Sequence, residues 1–360
     1  MLHFNCARNS FHMSASRVLT ALEGFRHSQV LFAGVRLGVF EKLVALSPNA
    51  LDVHTLAKHL NCISSSLERL LSTCAAMGLV DSPAAQKFCA NQTTKTFLVR
   101  SSSQSLVGYV EHSMQLLWPL WNNLHESVKS NENAWEITFG KSKSDVFSSI
   151  YGDPQRTLRF AQAMQSFASM FAPRIVQGLH SELSRFMHFA DVGGGAGVFA
   201  QALIHGLESC PKVSVCELKE VVQVAPELAG VESERIDFVA GNFLPVGTTV
   251  TDSLPRGVDA VILSRILHDW DDNQVNDILD CMARQLNQGQ GLLIVEMLID
   301  QPDDSLSARF QDLNMLIQTK GRERTIEQYR QLVEKRRFSF QASVILQESL
   351  MPSGILFIKE

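Results

Sequence analysis

The sequence predicts an α/β fold whose mostly parallel sheet fills the second half of the chain, with a helical domain in front of it. Three observations carry the prediction. From Phe189 onward, short apolar runs alternate with helical patterns, the order that lays down a parallel sheet covered on both faces. The first of these runs, Phe189-Ala-Asp191-Val, leads into Gly193, Gly194, Gly195 and Gly197. Such a spacing turns a strand sharply into a helix and leaves bare main chain against which a ligand can lie. Ahead of residue 189, apolar side chains recur at helical spacing, with few breakers inside each stretch.

Composition bounds the rest. The chain has 360 residues, 45% of them hydrophobic, and a net charge of −5; that length suggests two domains, and that charge gives no reason to expect nucleic acid or an anionic membrane as a partner. Seven cysteines (Cys6, Cys62, Cys74, Cys89, Cys210, Cys216 and Cys281) are odd in number and never spaced C-x-x-C, so reduced thiols in a cytoplasmic protein are the expectation. No apolar run approaches the roughly 20 residues of a membrane span. The first 22 residues lack an acid and carry Arg8 and Arg17, a faint likeness to a transit peptide. A flexible tail over residues 1–20 is the simpler expectation, with Met13 as an alternative start.

Residues 21–105 read as a small domain. Val30, Leu31, Val35, Leu37, Val39, Phe40 and Leu43 make one helix, and Asp52–Leu60 and Ser64–Gly78 make two shorter ones. Asp52 and Ser64 to Ser66 are candidate N-caps, and Gly78 is a stop. Leu79-Val80 and Phe88 to Phe97 complete the domain as a hairpin or wing. This helix-turn-helix pattern raises a DNA-binding alternative. A recognition helix needs basic or amide side chains on its outer face. The second helix offers only Arg69, beside Glu68, and shows Leu67, Leu70, Leu71, Cys74 and Met77 at helical spacing. So apolar a helix is buried, which favours a dimerisation module.

Residues 106–185 form a helical connection. Tyr109 to His125 is an aromatic-rich run that includes Trp118 and Trp121. Tyr151-Gly-Asp-Pro154 reads as the turn opening a helix over 156–179, with Phe160, Met164, Phe167, Met170 and Phe171 on one face. Those side chains suit either a core or the wall of a small-molecule pocket.

The candidate ligand-binding residues stand at the strand ends of residues 186–360. Asp191 closes the first strand ahead of Gly193 and Gly195. Val213-Ser-Val-Cys-Glu217 is the second strand, and its terminal acid stands where a ribose diol is held. Ile236 to Phe243 supplies the third strand and its loop, with Gly241 and Asn242; 258–263 is the fourth and 291–296 the fifth. A dinucleotide site would want Gly-x-Gly-x-x-Gly facing a pyrophosphate. Here an acid precedes Gly-x-Gly-x-Gly, which resembles the first motif of S-adenosylmethionine-dependent methyltransferases. The fourth strand runs into Arg265-Ile-Leu-His268-Asp269-Trp270-Asp271, placing one histidine at the ligand edge as a candidate general base. The alternatives are a structural histidine, or a metal site of His268, Asp269 and Asp271. No second histidine stands at ligand spacing, and no metal is expected.

Together with the glycine turn, Arg265-Ile-Leu-His268-Asp269-Trp270, Ile294-Val-Glu296 and Gly321-Arg-Glu323-Arg324-Thr325 resemble the small-molecule O-methyltransferases that include the caffeic acid and hydroxyindole enzymes. Residues 312–325 are most similar to the hydroxyindole branch, and the likeness runs from about Ala21 through nearly the whole chain.

The resemblance implies a homodimer joined by N-terminal winged-helix domains, each followed by a Rossmann-like domain that binds S-adenosylmethionine and releases S-adenosylhomocysteine. It implies His268 as base, flanked by Glu296 and Glu323. Tyr151, Asp191, Gly193, Gly195, Glu217, Gly241, Asn242, Phe243 and Arg265 then match cofactor positions. Asp269, Asn314 and Gln318 match acceptor positions, the acceptor being a hydroxyindole such as N-acetylserotonin, which would give melatonin. Another phenol or polyketide-like hydroxyl is the alternative acceptor, and a non-catalytic winged-helix interaction protein is the alternative outside the enzymes. The chain departs from the family in four places. Glu217 and Asn242 stand where Asp is usual, Ala168 stands near an expected aromatic, and Lys335-Arg-Arg337 lacks the glycine common before Phe338.

Overall fold

The computed structural model describes residues 4–46, 49–140, 150–209, 211–225, 228, 234–244, 252–299, 305–346 and 351–360. The chain divides into two compact units, Met1–Glu111 and His112–Glu360.

In the first unit, helix α1 (Phe4–Arg36) reaches back into the stretch expected to be a flexible tail. It ends before Gly38, whose φ of 70° breaks the expected single helix and opens α2 (Val39–Ala45). Strand β1 (Leu51–Asp52) leads into α3 (Val53–Leu60), where the Asp52 carboxylate accepts from the His54 N–H at 2.9 Å, as an N-cap does. Helix α4 (Ser64–Ala76) starts differently from expectation, for its N-cap is Ile63 and Ser64 to Ser66 lie within the first turn. Gly78, at φ 72°, stops it.

The wing is shorter than the sequence pattern indicated. Strands β2 (Asp81–Ala84) and β3 (Lys87–Cys89) form its hairpin, β1 joins them in a small antiparallel sheet, and residues 92–97 belong to helix α5 (Gln92–Phe97). Leu67, Leu71 and Cys74 of α4 are buried with Val39, Phe40, Leu43, Leu56 and Phe88 in one core. The apolar face of α4 is therefore spent inside its own unit.

The second unit opens with short helical segments, among them Trp118–Trp121, Leu124–Ser130 and Trp135–Phe139, where one amphipathic run was expected. Pro119 removes a backbone donor at the start of the first of these. Helix α6 (Pro154–Gly178) begins at Asp153, whose carboxylate caps the Arg156 N–H at 2.9 Å.

The sheet follows. Strands β4 (His188–Val192), β5 (Lys212–Glu217), β6 (Ile236–Ala240), β7 (Ala260–Ser264) and β8 (Gly291–Glu296) run parallel, and β9 (Phe338–Val344) and β10 (Ser353–Lys359) close one side. The order is β6-β5-β4-β7-β8-β10-β9, with β10 antiparallel to both β8 and β9.

Helices α7 (Val198–Gly206), α8 (Asp272–Gln285), α9 (Ser305–Gln318) and α10 (Ile326–Glu334) complete the unit. Side chains on β4 alternate between two cores. Phe189 packs with Phe171, Ile175, Phe199 and Leu203 on one face, while Ala190 and Val192 pack with Ile278, Met282 and Tyr329 on the other. A parallel sheet buried on both faces leaves only its strand ends available to ligands. Among the described residues no helix is long and apolar enough to cross a membrane.

Candidate active site

The first part of the site lies at the carboxyl ends of β4, β5 and β6. After β4, residues Gly193, Gly195 and Gly197 all take positive φ, at 72°, 55° and 75°, a backbone that side-chain-bearing residues rarely adopt. The turn is fastened by the Gly193 N–H donating to the Cys216 carbonyl at 2.9 Å. It also has no spare room: a Cβ on Gly194 would stand 2.4 Å from the Asp191 carboxylate, and one on Gly193 2.4 Å from Ile266 Cδ1.

Asp191 sits beneath this turn at 1% exposure, and neither of its carboxylate oxygens has a hydrogen-bond partner. Burial, reinforced by the Glu217 charge, pushes its pKa up to about 7. Glu217 accepts from the Gly195 N–H at 3.2 Å and from its neighbour Leu218 N–H at 2.7 Å; burial raises it to about 7 against the pull of those two bonds. Two neighbouring carboxyls held this high lack a countercharge, and Asp191 lacks a donor as well. The β6 end is closed by Gly241 N–H to the Glu217 carbonyl, and by Asn242, whose N–H donates to Asp252 Oδ2 at 2.8 Å. Phe243 is buried among Val258, Leu263 and their neighbours.

The second part is built by β7, β8 and the stretch after α9. Strand β7 ends at Ser264, and Arg265 then takes φ 58° while its N–H still donates to the Val295 carbonyl at 2.9 Å. That left-handed step bends the chain into a short 3-10 turn, Leu267–Asp269. Glu296, the last residue of β8, caps the turn: one carboxylate oxygen accepts from the N–H groups of Ile266, Leu267 and His268 at 3.0, 2.8 and 3.3 Å.

Glu323 comes from the opposite side, 2.8 Å from His268 Nδ1 and 3.0 Å from Arg265 Nη1. Arg265 is also 3.6 Å from Glu296. Its guanidinium thus pairs with both glutamates rather than pointing to the glycine turn. His268 Nε2 stands 3.1 Å from the Arg265 carbonyl oxygen and 3.7 Å from Asp269 Oδ1.

Electrostatics in this cluster are decided by the pairing. Burial and the Arg265 guanidinium oppose a charged imidazole, but Glu296, Asp269 and Glu323 outweigh them and raise the His268 pKa. Burial would raise Glu323, yet Arg265 and His268 hold it below the ordinary value. Glu296 is pushed up by burial, and its second oxygen has the Arg265 ion pair but no hydrogen bond. When Nδ1–H donates to Glu323 and Nε2–H to the Arg265 carbonyl the ring is an imidazolium, and Nε2 is then the position at which a proton is lost to leave a base. His268, Glu296 and Glu323 offer ligand atoms within 4.8 Å of one another. The Arg265 cation already pairs with both carboxylates, which disfavours a second cation there.

Tyr151 is half-buried, and its hydroxyl is raised by desolvation and then by Glu217 and Asp269, so its charge environment is shared with both parts of the site. It stacks edge-on against Phe160, with centroids 6.2 Å apart, and Phe160 meets His112 at 5.6 Å. On α9, Asn314 accepts from the Trp121 indole N–H at 3.0 Å, and the Gln318 carbonyl accepts from Trp135 at 2.9 Å.

Sequence reasoning missed the roles of Trp121, Trp135, Asp312 and Arg324. Asp312 accepts from the Glu323 N–H at 2.9 Å. The indoles lie far from α9 along the chain, and no local pattern joins them. A buried arginine directly after Glu323 was the one available signal.

Comparison with known proteins decides the class. Residues 121–339 match the family described as O-methyltransferase domain, and residues 19–100 match the O-methyltransferase dimerisation domain. The chain belongs to the O-methyltransferase family. Acetylserotonin O-methyltransferase of Bos taurus is 34% identical over 86% of this chain and 88% of that protein. A Homo sapiens protein described as a probable bifunctional dTTP/UTP pyrophosphatase/methyltransferase is 33% identical over 89% of this chain; the chain spans 50% of its length. Among solved structures, human N-acetylserotonin methyltransferase in complex with SAM superposes with a TM-score of 0.85 at 31% identity, covering 96% of this chain and 97% of that one. In this O-methyltransferase the helical unit that matches the dimerisation domain precedes the parallel-sheet unit, as in the family.

Proposed function

We propose that this O-methyltransferase uses S-adenosylmethionine to methylate the hydroxyl of a small aromatic acceptor, a hydroxyindole such as N-acetylserotonin, and works as a homodimer. The observation that carries the reading is His268, buried and held through Nδ1 by Glu323 at 2.8 Å, with Nε2 turned to a carbonyl that an acceptor hydroxyl can replace. The cofactor would supply an activated methyl group on a sulfonium that departs without protonation.

The strand-end carboxyls fit such a cofactor. Asp191 has two unpartnered oxygens for a cationic or hydroxyl group, and Glu217 is aimed by Gly195 and Leu218 to accept from a diol. Gly193, Gly241, Asn242, Phe243 and Tyr151 complete that side. Arg265 serves it indirectly, by setting the two glutamates.

His268 takes the acceptor proton at Nε2. A phenol titrates near 10 and an ordinary histidine near 6.5, so full transfer before attack is uphill by roughly 5 kcal/mol. The proton therefore moves as the oxygen attacks, and Glu323 stabilises the imidazolium as it forms. Positioning of the two reactants supplies much of the remaining acceleration.

Asp269, Asn314 and Gln318 hold the acceptor in this reading. The Trp121 N–H occupies Asn314 Oδ1, which leaves the amide donors for a carbonyl such as that of an N-acetyl group. The names of the bovine relative and of the human structure support that acceptor. Described cysteines 62, 74, 89 and 216 are free thiols, which supports a cytoplasmic enzyme; the side chains of Cys6 and Cys210 lie outside the described residues.

The test is methyl transfer from labelled S-adenosylmethionine to N-acetylserotonin beside caffeic acid and simple phenols. Selective labelling of N-acetylserotonin is expected. Labelling confined to other phenols would discard the acceptor while keeping the chemistry.

A further inference from the structure

Arg324 is the largest charged side chain buried among the described residues, at 0% exposure, and its charge environment is set by Tyr329 and Asp272 rather than by the acids beside His268. Its hydrogen bonds go to the backbone that carries them. Nη1 donates to the Leu267 carbonyl at 3.1 Å and to the Arg322 carbonyl at 3.1 Å, and Nη2 donates to the Trp270 carbonyl at 3.2 Å. Leu267 and Trp270 bracket His268 and Asp269, so one rigid guanidinium grips the catalytic turn at both ends. The cation is balanced by Asp272, 2.7 Å away at the first turn of α8, and Asp272 in turn pairs with Arg322 at 2.6 Å.

The opposite side of the turn is closed as tightly. A Cβ on Gly321 would stand 1.9 Å from the His268 carbonyl oxygen, and the Glu296 carboxylate takes the three N–H groups that the turn presents on the β8 side. The turn is thus held from three directions, and Arg324 is the component that spans it. Because Arg324 is bonded directly to Glu323 in the chain, the same side chain also fixes where the Nδ1 partner of His268 can lie.

We propose that Arg324 is a positioning residue for methyl transfer: by bridging the Leu267 and Trp270 carbonyls it holds the His268 ring at the distance from Glu323 and the direction toward the acceptor that proton removal requires. The proposal rests on His268 being the base of the proposed reaction. A lysine carries the same charge on a flexible stem and has no planar fork, so it keeps the Asp272 pair but cannot grip both carbonyls.

The test compares Arg324→Lys with Asp272→Asn in the full chain, the second variant weakening the guanidinium's charge partner while leaving its carbonyl contacts. Thermal melting and calorimetric titration with S-adenosylhomocysteine establish that each variant is folded and binds. The readouts are kcat and acceptor KM, together with the His268 pKa followed by NMR of ring-labelled protein, its signal assigned with His268→Gln. The groups that set that pKa are Glu323, Glu296, Asp269 and Arg265.

The expected result for Arg324→Lys is a 10- to 100-fold fall in kcat, KM within about threefold, and a His268 pKa displaced toward the ordinary histidine value as the ring loosens from Glu323. Asp272→Asn is expected to show the same pattern, reduced to a few-fold. A folded, ligand-binding Arg324→Lys with wild-type kcat and an unmoved His268 pKa would overturn the proposal. The NMR measurement needs no acceptor, so a wild-type protein without methyl transfer would count against the proposed reaction and leave the effect of Arg324 on His268 separately measured.

Discussion

Glu323 Oε1 lies 2.8 Å from His268 Nδ1, and the same oxygen is 3.0 Å from Arg265 Nη1. One buried carboxylate oxygen therefore serves an imidazole and a guanidinium at once, and it fixes both the orientation of the ring and the acidity of its far nitrogen.

The pH profile follows from that sharing. A base must be neutral to act, and the acids around His268 raise its pKa above the ordinary value. Activity is expected to rise with pH through that raised value. Glu323→Gln removes one of the raising charges, so the rising limb should move to lower pH while kcat falls. A limb that stays in place in kcat/KM profiles of the two proteins would remove Glu323 from this role. The same shift has a sign for stability: the contribution of a histidine with raised pKa is fully present below its unfolded value and is lost as pH rises through the folded one.

His268→Ala is expected to lower kcat by about 10²- to 10⁴-fold, the usual worth of a positioned base. Its S-adenosylhomocysteine affinity should stay within a few-fold, because Asp191 and Glu217 are on other strands. Calorimetry beside single-turnover kinetics separates the two, and lost affinity with unchanged turnover would count against the assignment.

Asp191 and Glu217 make the stability of the ligand-free protein pH-sensitive in the same direction. Their folded pKa values are raised to about 7. Their stabilising contribution is complete below the unfolded value of about 4 and is lost as pH climbs through about 7. Asp191→Asn should raise the Tm of the ligand-free protein at pH 8 and weaken cofactor binding at least tenfold. Melting curves from pH 5.5 to 8, with and without S-adenosylmethionine, check both halves; an unchanged Tm at pH 8 would refute the first.

Gly321→Ala should cost about 1–3 kcal/mol of stability, in the range of overpacking a filled interior, since the new methyl group would collide with the backbone of His268 and Asp269. Turnover is expected to fall more than binding, because what moves is the catalytic turn. Urea unfolding with parallel kcat measurements tests it, and a variant of wild-type stability would show that the turn yields freely.

Arg337 takes φ 62° just before Phe338, at the place where the family resemblance implied a glycine. Holding a non-glycine residue there costs roughly 1 kcal/mol, partly offset by the greater chain entropy of glycine. Arg337→Gly should therefore stabilise the protein by up to about 1 kcal/mol and leave turnover alone. A lower Tm would mean that the exposed arginine contributes contacts of its own.

The strand ends were legible in the sequence because their chemistry is local: an acid after an apolar run, then glycines, states both a turn and a ligand edge. The charge network around His268 was only half legible. Arg265, Glu296 and Glu323 are separated along the chain, and the pairing of Arg265 with both acids depends on which strands lie side by side. The Trp121 to Asn314 hydrogen bond had no sequence signal, since a tryptophan in an apolar run reads as packing. The wing shifted because Asn91 caps a helix, accepting from the Thr94 N–H at 3.0 Å, inside a stretch that apolar content alone marks as strand.

The cluster around His268 also carries a schedule. Arg265 and Glu296 leave the ribosome before Glu323, yet the three form one ion-pair cluster around two fully buried carboxylates. A nascent chain that has laid down β4 to β8 holds Arg265, His268 and Glu296 without Glu323, so two cationic side chains share a single carboxylate. The stretch after α9, made later, brings Glu323 to both the guanidinium and the imidazole, so the base is completed only after the strands that carry His268 and Glu296 have been synthesised.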